Sequence, residues 1–427
     1  MLPPSGWVPF EWPATWTNPS LLRHLEGGPL NCILLSSNEQ SAIREAASGR
    51  FDIPQIAWRK SSELNWKSPG QVAAIGDAVW PELARRSRES NGSMEAGPTG
   101  APWLDANGWL ILMARFRAGS VPVWIRSESP ENADQLQLAN YRLAIAEAGA
   151  YGATRPLWLA PTLASGIASG NDFALATWAK LLNELRWHQA RREYSAWPGF
   201  GRLLILTAFS GANEYNATEV LNLSARRNLS FRLADPGDLP PAQLQGIQSV
   251  LYVDAEPLPQ PAAAALRRFV EAGGLLLCMK QPAGTLGALR PSAELHPRFD
   301  LFQAGKGRVA ISRGAWDDQW VLAQDAHLLM SRRHDAVRLF NGSSLLFHHS
   351  VSPDGRRWLV QLLNYSAHDS ASNVTLQTWA RLASARILLP ELAPAPLEIH
   401  RETGASELYI PRFSTYAAVE LELQDHA

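Results

Sequence analysis

Cysteine is nearly missing from this chain: Cys32 and Cys278 are the only two among 427 residues. A scaffold stapled by several disulfides is thereby excluded, and so is a multi-cysteine metal centre. Both thiols lie in apolar runs, NCILL and LLLCMK, and read as buried core residues. An excess of one charge is missing too. Lysine and arginine total 39 against 40 acids, a net charge of −1, so there is no basic footprint for nucleic acid and no polybasic run for an anionic membrane. No apolar run reaches the roughly eighteen residues that suggest a membrane-spanning helix. The opening, MLPPSGWVPFEWPATW, has neither a basic segment nor a continuous apolar one. It is not a signal peptide as it stands, and a cytoplasmic location is the default expectation. Metal-ligand spacing is lacking among His296, His327 and His334, and the His348–His349 pair falls within a strand pattern. No metal and no cofactor is expected.

What is present points to folded domains. Hydrophobic residues make up 46% and charged residues 19%, which suits buried cores and not disorder. The length allows about two to four domains. Tryptophan, at 17 residues, is the most unusual count. Its flat apolar ring with one N–H suits the face of a sugar and suits a large core equally well.

The front of the chain, residues 1–198, alternates strands and helices. PLNCILLS (29–36) reads as a strand, with Ser37 or Asn38 placed to cap the helical pattern after it. IPQIAWR (53–59), QVAAIGD (71–77), VPVWIRSE (121–128) and RPLWLAP (155–161) read as further strands. A Gly/Pro-rich stretch at 90–108 and helical segments at about 107–118, 131–153 and 171–194 separate them. This order predicts parallel strands with right-handed crossovers. About five strands can be counted, and a full eight-stranded barrel usually needs about 250 residues. The front is therefore either a reduced (β/α) barrel-like domain or an open sheet.

Residues 199–300 predict an open doubly wound α/β domain. LLIL, SFRLAD, SVLYVDAE and LLLCMK supply its strands, and Pro261 and Gly273–Gly274 punctuate the helix before the last of them. Residues 301–427 change character. GRVAISR, SLLFHHSVS, RWLVQLLNYS, SNVTLQTWA, ARILLPE and YAAVELEL predict a C-terminal all-β sandwich, and HLLMSRRHDAVRLFNG (327–342) reads as one helix before it. GKGR (305–308) reads as a β-turn and not as a phosphate loop.

Strand LLIL, then SVLYVDAE, then LRRFVEAGGLLLCMK resembles the glutamine-amidotransferase-like middle domain of beta-galactosidase-type glycoside hydrolases. WLVQLLNYSAHDSASNVTLQ, ending in IPRFSTYAAVELEL, is similar to their terminal β domain. The resemblance covers roughly 200–425 in order and type of element. It implies a TIM barrel in front, an oligo- or polysaccharide or glycoside as partner, and self-association through the middle domain. The front is shorter than the family's barrel, whose acid and nucleophile end strands four and seven. Amidotransferase activity is not expected, because Cys278 sits inside LLLCMK with no glycine elbow to expose it.

Glycoside hydrolysis needs two carboxyl groups across the scissile bond, and in a barrel they belong on loops after strands. Asp77 ends QVAAIGD and Glu128 ends VPVWIRSE. Glu95 lies in the 90–108 stretch. These three are the candidate catalytic residues. Trp80, Trp103, Asp105, Asn107 and Trp124 are candidate substrate contacts, combining rings, a carboxylate and an amide. Acids after strands also cap helices or bind arginine, and Asp105 or Asn107 is placed to cap the helix that follows. Two functions remain open: a glycoside hydrolase, and a carbohydrate-binding or assembly protein on a degenerate barrel.

Overall fold

The computed structural model describes residues 4–36, 40–83, 103–130, 132–366, 369–402 and 404–424. Glu95 and the capping candidates Ser37 and Asn38 lie outside them. Among the described residues no helix is long and apolar enough to cross a membrane.

In the front, β1 (Pro9–Glu11) pairs in parallel with β2 (Cys32–Leu34), and β3 (Ala73–Ala78) pairs in parallel with the strand Val123–Ser127. Two short strands, β4 (Glu82–Leu83) and β5 (Leu104–Asp105), form a small antiparallel pair between them in sequence, so Val123–Ser127 is β6. Single parallel bridges supply the remaining links. Cys32 meets Asp52, Arg59 meets Ile75, Trp124 meets Thr154, and Leu157 returns to Phe10. The pairings therefore run around six segments in sequence order and come back to the first. Ladder pairing is not continuous around this ring, so it is not a regular closed barrel. The strands expected at 53–59 and 155–161 are present only as such bridges, which fits the prolines at 54, 156 and 161.

Side chains alternate across these strands. Phe10 and Ile33 pack outward against α4 (Pro161–Ser169) and α5 (Asp172–Gln189), in one core with Trp16, Ile167 and Trp178. Ile75, Val123 and Ile125 pack outward against α2 (Gly108–Ala118) and α3 (Leu138–Tyr151). Cys32, Ala74 and Trp124 form a separate small core with Trp7 and Val72. That core fills the ring. Trp124 is fully buried there, edge-on to Trp7 with ring centres 5.9 Å apart. The short helix α1 (Ser41–Ala47) starts after Gln40, whose side chain accepts the Ser36 N–H.

The middle sheet has seven strands. Its parallel part runs β8 (Phe231–Ala234), β7 (Leu203–Leu206), β9 (Ser249–Tyr252), β10 (Leu275–Cys278) and β13 (Gly307–Ser312). An antiparallel edge of β12 (Phe299–Ala304) and β11 (Arg290–Pro291) completes it. Leu204, Val250 and Leu276 face α7 (Gln260–Glu271), while Leu203, Leu251 and Leu277 face α6 (Glu214–Arg226) and α9 (Gln319–Met330). A short α8 (Lys280–Ala283) follows β10. The sheet therefore extends past residue 300. GRVAISR is its fifth parallel strand and not part of the tail, and 327–342 is not one helix: α9 ends at Met330 and Val337–Phe340 is already a strand. Ser331 has φ of +73°, a conformation that stops the helix there.

The tail is two antiparallel sheets around one apolar core. Four strands run Val337–Phe340, Val374–Thr378, Ala405–Ile410, His400–Glu402. Five run Leu345–Val351, Arg357–Asn364, Tyr416–Leu423, Leu382–Leu388, Ala395–Pro396. The Gln361 amide donates to the Ala150 carbonyl at the end of α3, at 2.9 Å, so the tail is locked to the front.

Candidate functional site

Because Phe10 points outward, Glu11 points into the ring, and because Trp124 points inward, so does Arg126. The two meet over segment 154–157: Arg126 Nη2 lies 2.9 Å from Glu11 Oε2. The Glu11 side chain is only 12% exposed. Burial pushes its carboxyl up from the ordinary value, and Arg126 and Arg155 oppose that rise. Below the pair Trp58 rests against Trp124, ring centres 6.4 Å apart, and the Arg126 guanidinium lies 5.8 Å from the Trp58 ring centre.

A cavity of about 460 Å³ opens above this pair. Glu11, Arg126, Trp12, Trp58, Gln55 and Arg44 line it. Glu11, Leu34 and Arg126 come from the carboxyl ends of β1, β2 and β6, the end at which (β/α) barrels carry their sites. Glu11 and Arg126 also border a second, narrow cleft of about 20 Å³, with Trp80, Glu128, Arg155 and Trp158. Trp80 stands edge-on to both Trp158 and Tyr141, each 5.9 Å away, and its buried indole N–H has no hydrogen-bond partner among the described residues. Arg155 is tied down, donating to Ser127 Oγ and to the Val79 carbonyl, both at 3.0 Å.

Of the residues expected from the sequence, the structure brings Glu128 and Trp80 to this mouth. Glu128 is exposed there and held by no hydrogen bond or ion pair among the described residues. The other described candidates are engaged elsewhere. Asp77 accepts the Ser61 backbone N–H and the Ser61 hydroxyl, both at 2.9 Å, and so fixes the turn at 61–63. Asp105 accepts the Trp103 indole N–H at 3.2 Å, and the Arg226 guanidinium of α6 covers the Trp103 ring at 3.7 Å. That group joins front to middle domain. Trp124 is corrected from ligand contact to ring core, since it has no exposed surface. Asn107 is buried at the start of α2, but its side chain does not cap the helix. It bonds both ways to the Val79 backbone, at 2.8 and 3.0 Å, and donates to Glu147 at 2.7 Å. It thereby steadies the chain just before Trp80.

Glu11, Arg126, Trp58 and Arg44 escape a reading of the sequence. Glu11 ends a strand of three residues, with Pro9 inside it and Pro13 just beyond, so the usual alternation signal is too short to read. The FEWP run, an acid between two aromatics after an apolar pair, is the signal that could have raised it. No group of histidine, cysteine and acidic side chains suited to a metal occurs among the described residues. Cys278 is fully buried and burial pushes its thiol up to about 12, the opposite of an activated nucleophile.

No protein-family model and no curated protein matches the sequence. Solved structures do. Alpha-L-fucosidase isoenzyme 2 from Paenibacillus thiaminolyticus is similar with a TM-score of 0.52 at 12% identity, over 95% of this chain and 79% of that one. Beta-galactosidase from Bacillus circulans sp. alkalophilus gives 0.49 at 10%, over 74% and 57%. A beta-galactosidase from Rahnella sp. R3 gives 0.49 at 12%, over 90% and 66%. The chain thus spans less than two thirds of either galactosidase. At such identities the likeness is one of fold alone, and the fucosidase carries it: the chain shares the overall fold of that solved structure.

Proposed function

We propose that the chain acts on a glycoside at the mouth of the front domain, with Glu11 as the proton-donating acid and Glu128 as the second carboxylate. One observation carries this reading: Glu11 and Glu128 are the only acids among the described residues lining the narrow cleft. Hydrolysis of a glycosidic bond needs two carboxyl groups in different environments, one able to keep its proton. Glu11 is buried and shifted toward the protonated form, whereas Glu128 stands in solvent. Trp58, Trp80 and Trp158 offer apolar ring faces to a sugar, and Gln55, Arg44 and Arg126 offer hydrogen-bond donors to its hydroxyls. The fold shared with a fucosidase supports a glycoside as the substrate class.

A second reading, sugar binding without cleavage, is favoured by the Arg126–Glu11 ion pair. A guanidinium at 2.9 Å stabilises the carboxylate and opposes delivery of its proton. Aryl glycosides of several sugars, tested on the parent protein and on Glu11→Gln and Glu128→Gln, separate the two. Turnover lost in both variants is expected. Turnover equal to the parent in both would remove these residues from the site. Calorimetric binding of a sugar with no turnover of any glycoside would establish the second reading.

A further inference from the structure

A separate cavity lies at one end of the tail, far in sequence from the mouth. Strand Val374–Thr378 ends there, Leu382–Leu388 begins, Ala405–Ile410 begins and Tyr416–Leu423 ends. The cavity measures about 340 Å³, within the range of small-ligand sites. Trp379, Arg381, Arg401, Ser406 and Gln424 are among its lining residues, and no acidic residue is among the described ones that line it.

Its walls are held in place by the backbone. The Gln424 N–H donates to the Arg381 carbonyl at 2.9 Å, and Arg401 Nη2 donates to the Leu382 carbonyl at 3.2 Å. The Arg381 side chain makes no hydrogen bond or ion pair with a described residue, and the Arg401 guanidinium has only that carbonyl. Two arginines thus border one cavity with no carboxylate among its described lining residues to balance them. Like charges held around one space repel, and an anion entering it relieves that repulsion. Arginine also presents paired N–H donors that match carboxylate and sulfate oxygens.

Trp379 supplies the other half of the site. It is 37% exposed, unlike the fully buried Trp16 and Trp124. Its ring is kept from swinging by Arg338, whose guanidinium lies 4.3 Å from the ring centre and is itself anchored to Asp335 at 2.9 Å. A fixed indole beside unbalanced guanidinium groups fits a ring that has an apolar face and carries an acidic substituent.

We infer that this end of the tail is a binding site for an acidic saccharide, one bearing carboxylate or sulfate groups, separate from the mouth of the front domain. A single nucleic-acid strand shares the stacking and the charge. It is disfavoured because strand binding needs a basic groove that follows the backbone, whereas this is a bounded cavity on a chain of net charge −1.

The test uses the full chain in affinity electrophoresis and calorimetry against polygalacturonate, dextran sulfate, neutral dextran and oligothymidylate. The parent is expected to bind polygalacturonate or dextran sulfate, with affinity that falls as salt rises, and to ignore dextran. Trp379→Ala and the double variant Arg381→Ala/Arg401→Ala should each weaken that binding at least tenfold at unchanged melting temperature. Arg381→Glu, which reverses one charge without removing the ring, should weaken it further than Arg381→Ala. Absence of binding to either acidic polysaccharide overturns the inference. So does binding that all the tail variants retain, or tighter binding of oligothymidylate than of any saccharide.

Discussion

The Tyr365 hydroxyl donates to the buried Glu147 carboxylate at 2.7 Å, from the end of a tail strand to the middle of α3 in the front. The same carboxylate accepts the backbone N–H and the side-chain amide of Asn107, each at 2.7 Å. Three donors on one carboxylate in a dry site make this junction a stitch between front and tail. It also reaches the mouth, because Asn107 holds the Val79 backbone beside Trp80.

Tyr365→Phe keeps the ring and removes only that donor. We expect a loss of about 1.5–3 kcal/mol, the usual range for a hydrogen bond to a charged group. Urea unfolding followed by tryptophan fluorescence measures it. A variant as stable as the parent would mean the contact does not hold the two parts together.

Trp124 fills the ring, so Trp124→Ala should cost about 3–5 kcal/mol by leaving a cavity among Trp7, Trp58 and Ala74. Trp124→Phe should cost less, since part of the volume is kept. Loss of glycoside turnover by Trp124→Phe without loss of stability would show instead that the ring contacts ligand.

Asp77 and Glu11 should part company. Asp77→Asn keeps the acceptor oxygen for one of its two Ser61 contacts, and we expect turnover near the parent's with a stability change of about 1 kcal/mol or less. Glu11→Gln should abolish turnover. If Glu11 donates the proton, the parent's rate falls as pH rises through its elevated titration point, because only the protonated form serves. A pH–rate profile that stays flat over that limb would contradict the role.

His348 and His349 set an acid limit on stability. Both are buried and held neutral by burial, down to about 3, with Arg115 adding to the effect on His348. Their folded values lie below the ordinary 6.5, so the unfolded chain takes up protons first as pH falls. Their contribution is therefore complete above about pH 6.5 and is lost progressively toward pH 3, at most about 1.4 kcal/mol per pH unit for each histidine. His349 lies between Phe200 and Trp358, at 4.9 and 4.8 Å, and neither ring nitrogen has a hydrogen-bond partner among the described residues. Replacing it with phenylalanine should flatten the fall of melting temperature between pH 7 and 5. An unaltered slope in His349→Phe would assign the acid sensitivity to other groups.

Legibility differed by region for physical reasons. LLIL, SVLY and LLLC are buried on both faces, so their continuous apolar runs announce a doubly wound sheet. The later strand GRVAIS alternates and carries a turn before it, which reads equally well as antiparallel. Only the parallel register of Leu276 with Val309 assigns it to the middle sheet. In the front, prolines break the strands into single bridges, and the periodicity that would mark 9–11 or 155–157 disappears. Asp77 and Glu128 follow strands in the same way in sequence. One is captured by Ser61 and the other faces the cleft, a difference made by which residues fold back onto each strand end.

The sequence by itself determined the order of parts: an α/β front, a doubly wound middle and a β tail. Apolar period and turn residues are local signals, and they specify elements without reference to distant chain. It also placed both cysteines in apolar runs and showed that the chain carries no charge excess. Only the tertiary structure decided that Glu11 faces Arg126, that Trp124 is core, and that Arg381 and Arg401 share a cavity with Trp379. Each of those facts depends on segments more than a dozen residues apart meeting in one register. Ring closure and sheet packing set that register, and no local pattern encodes it.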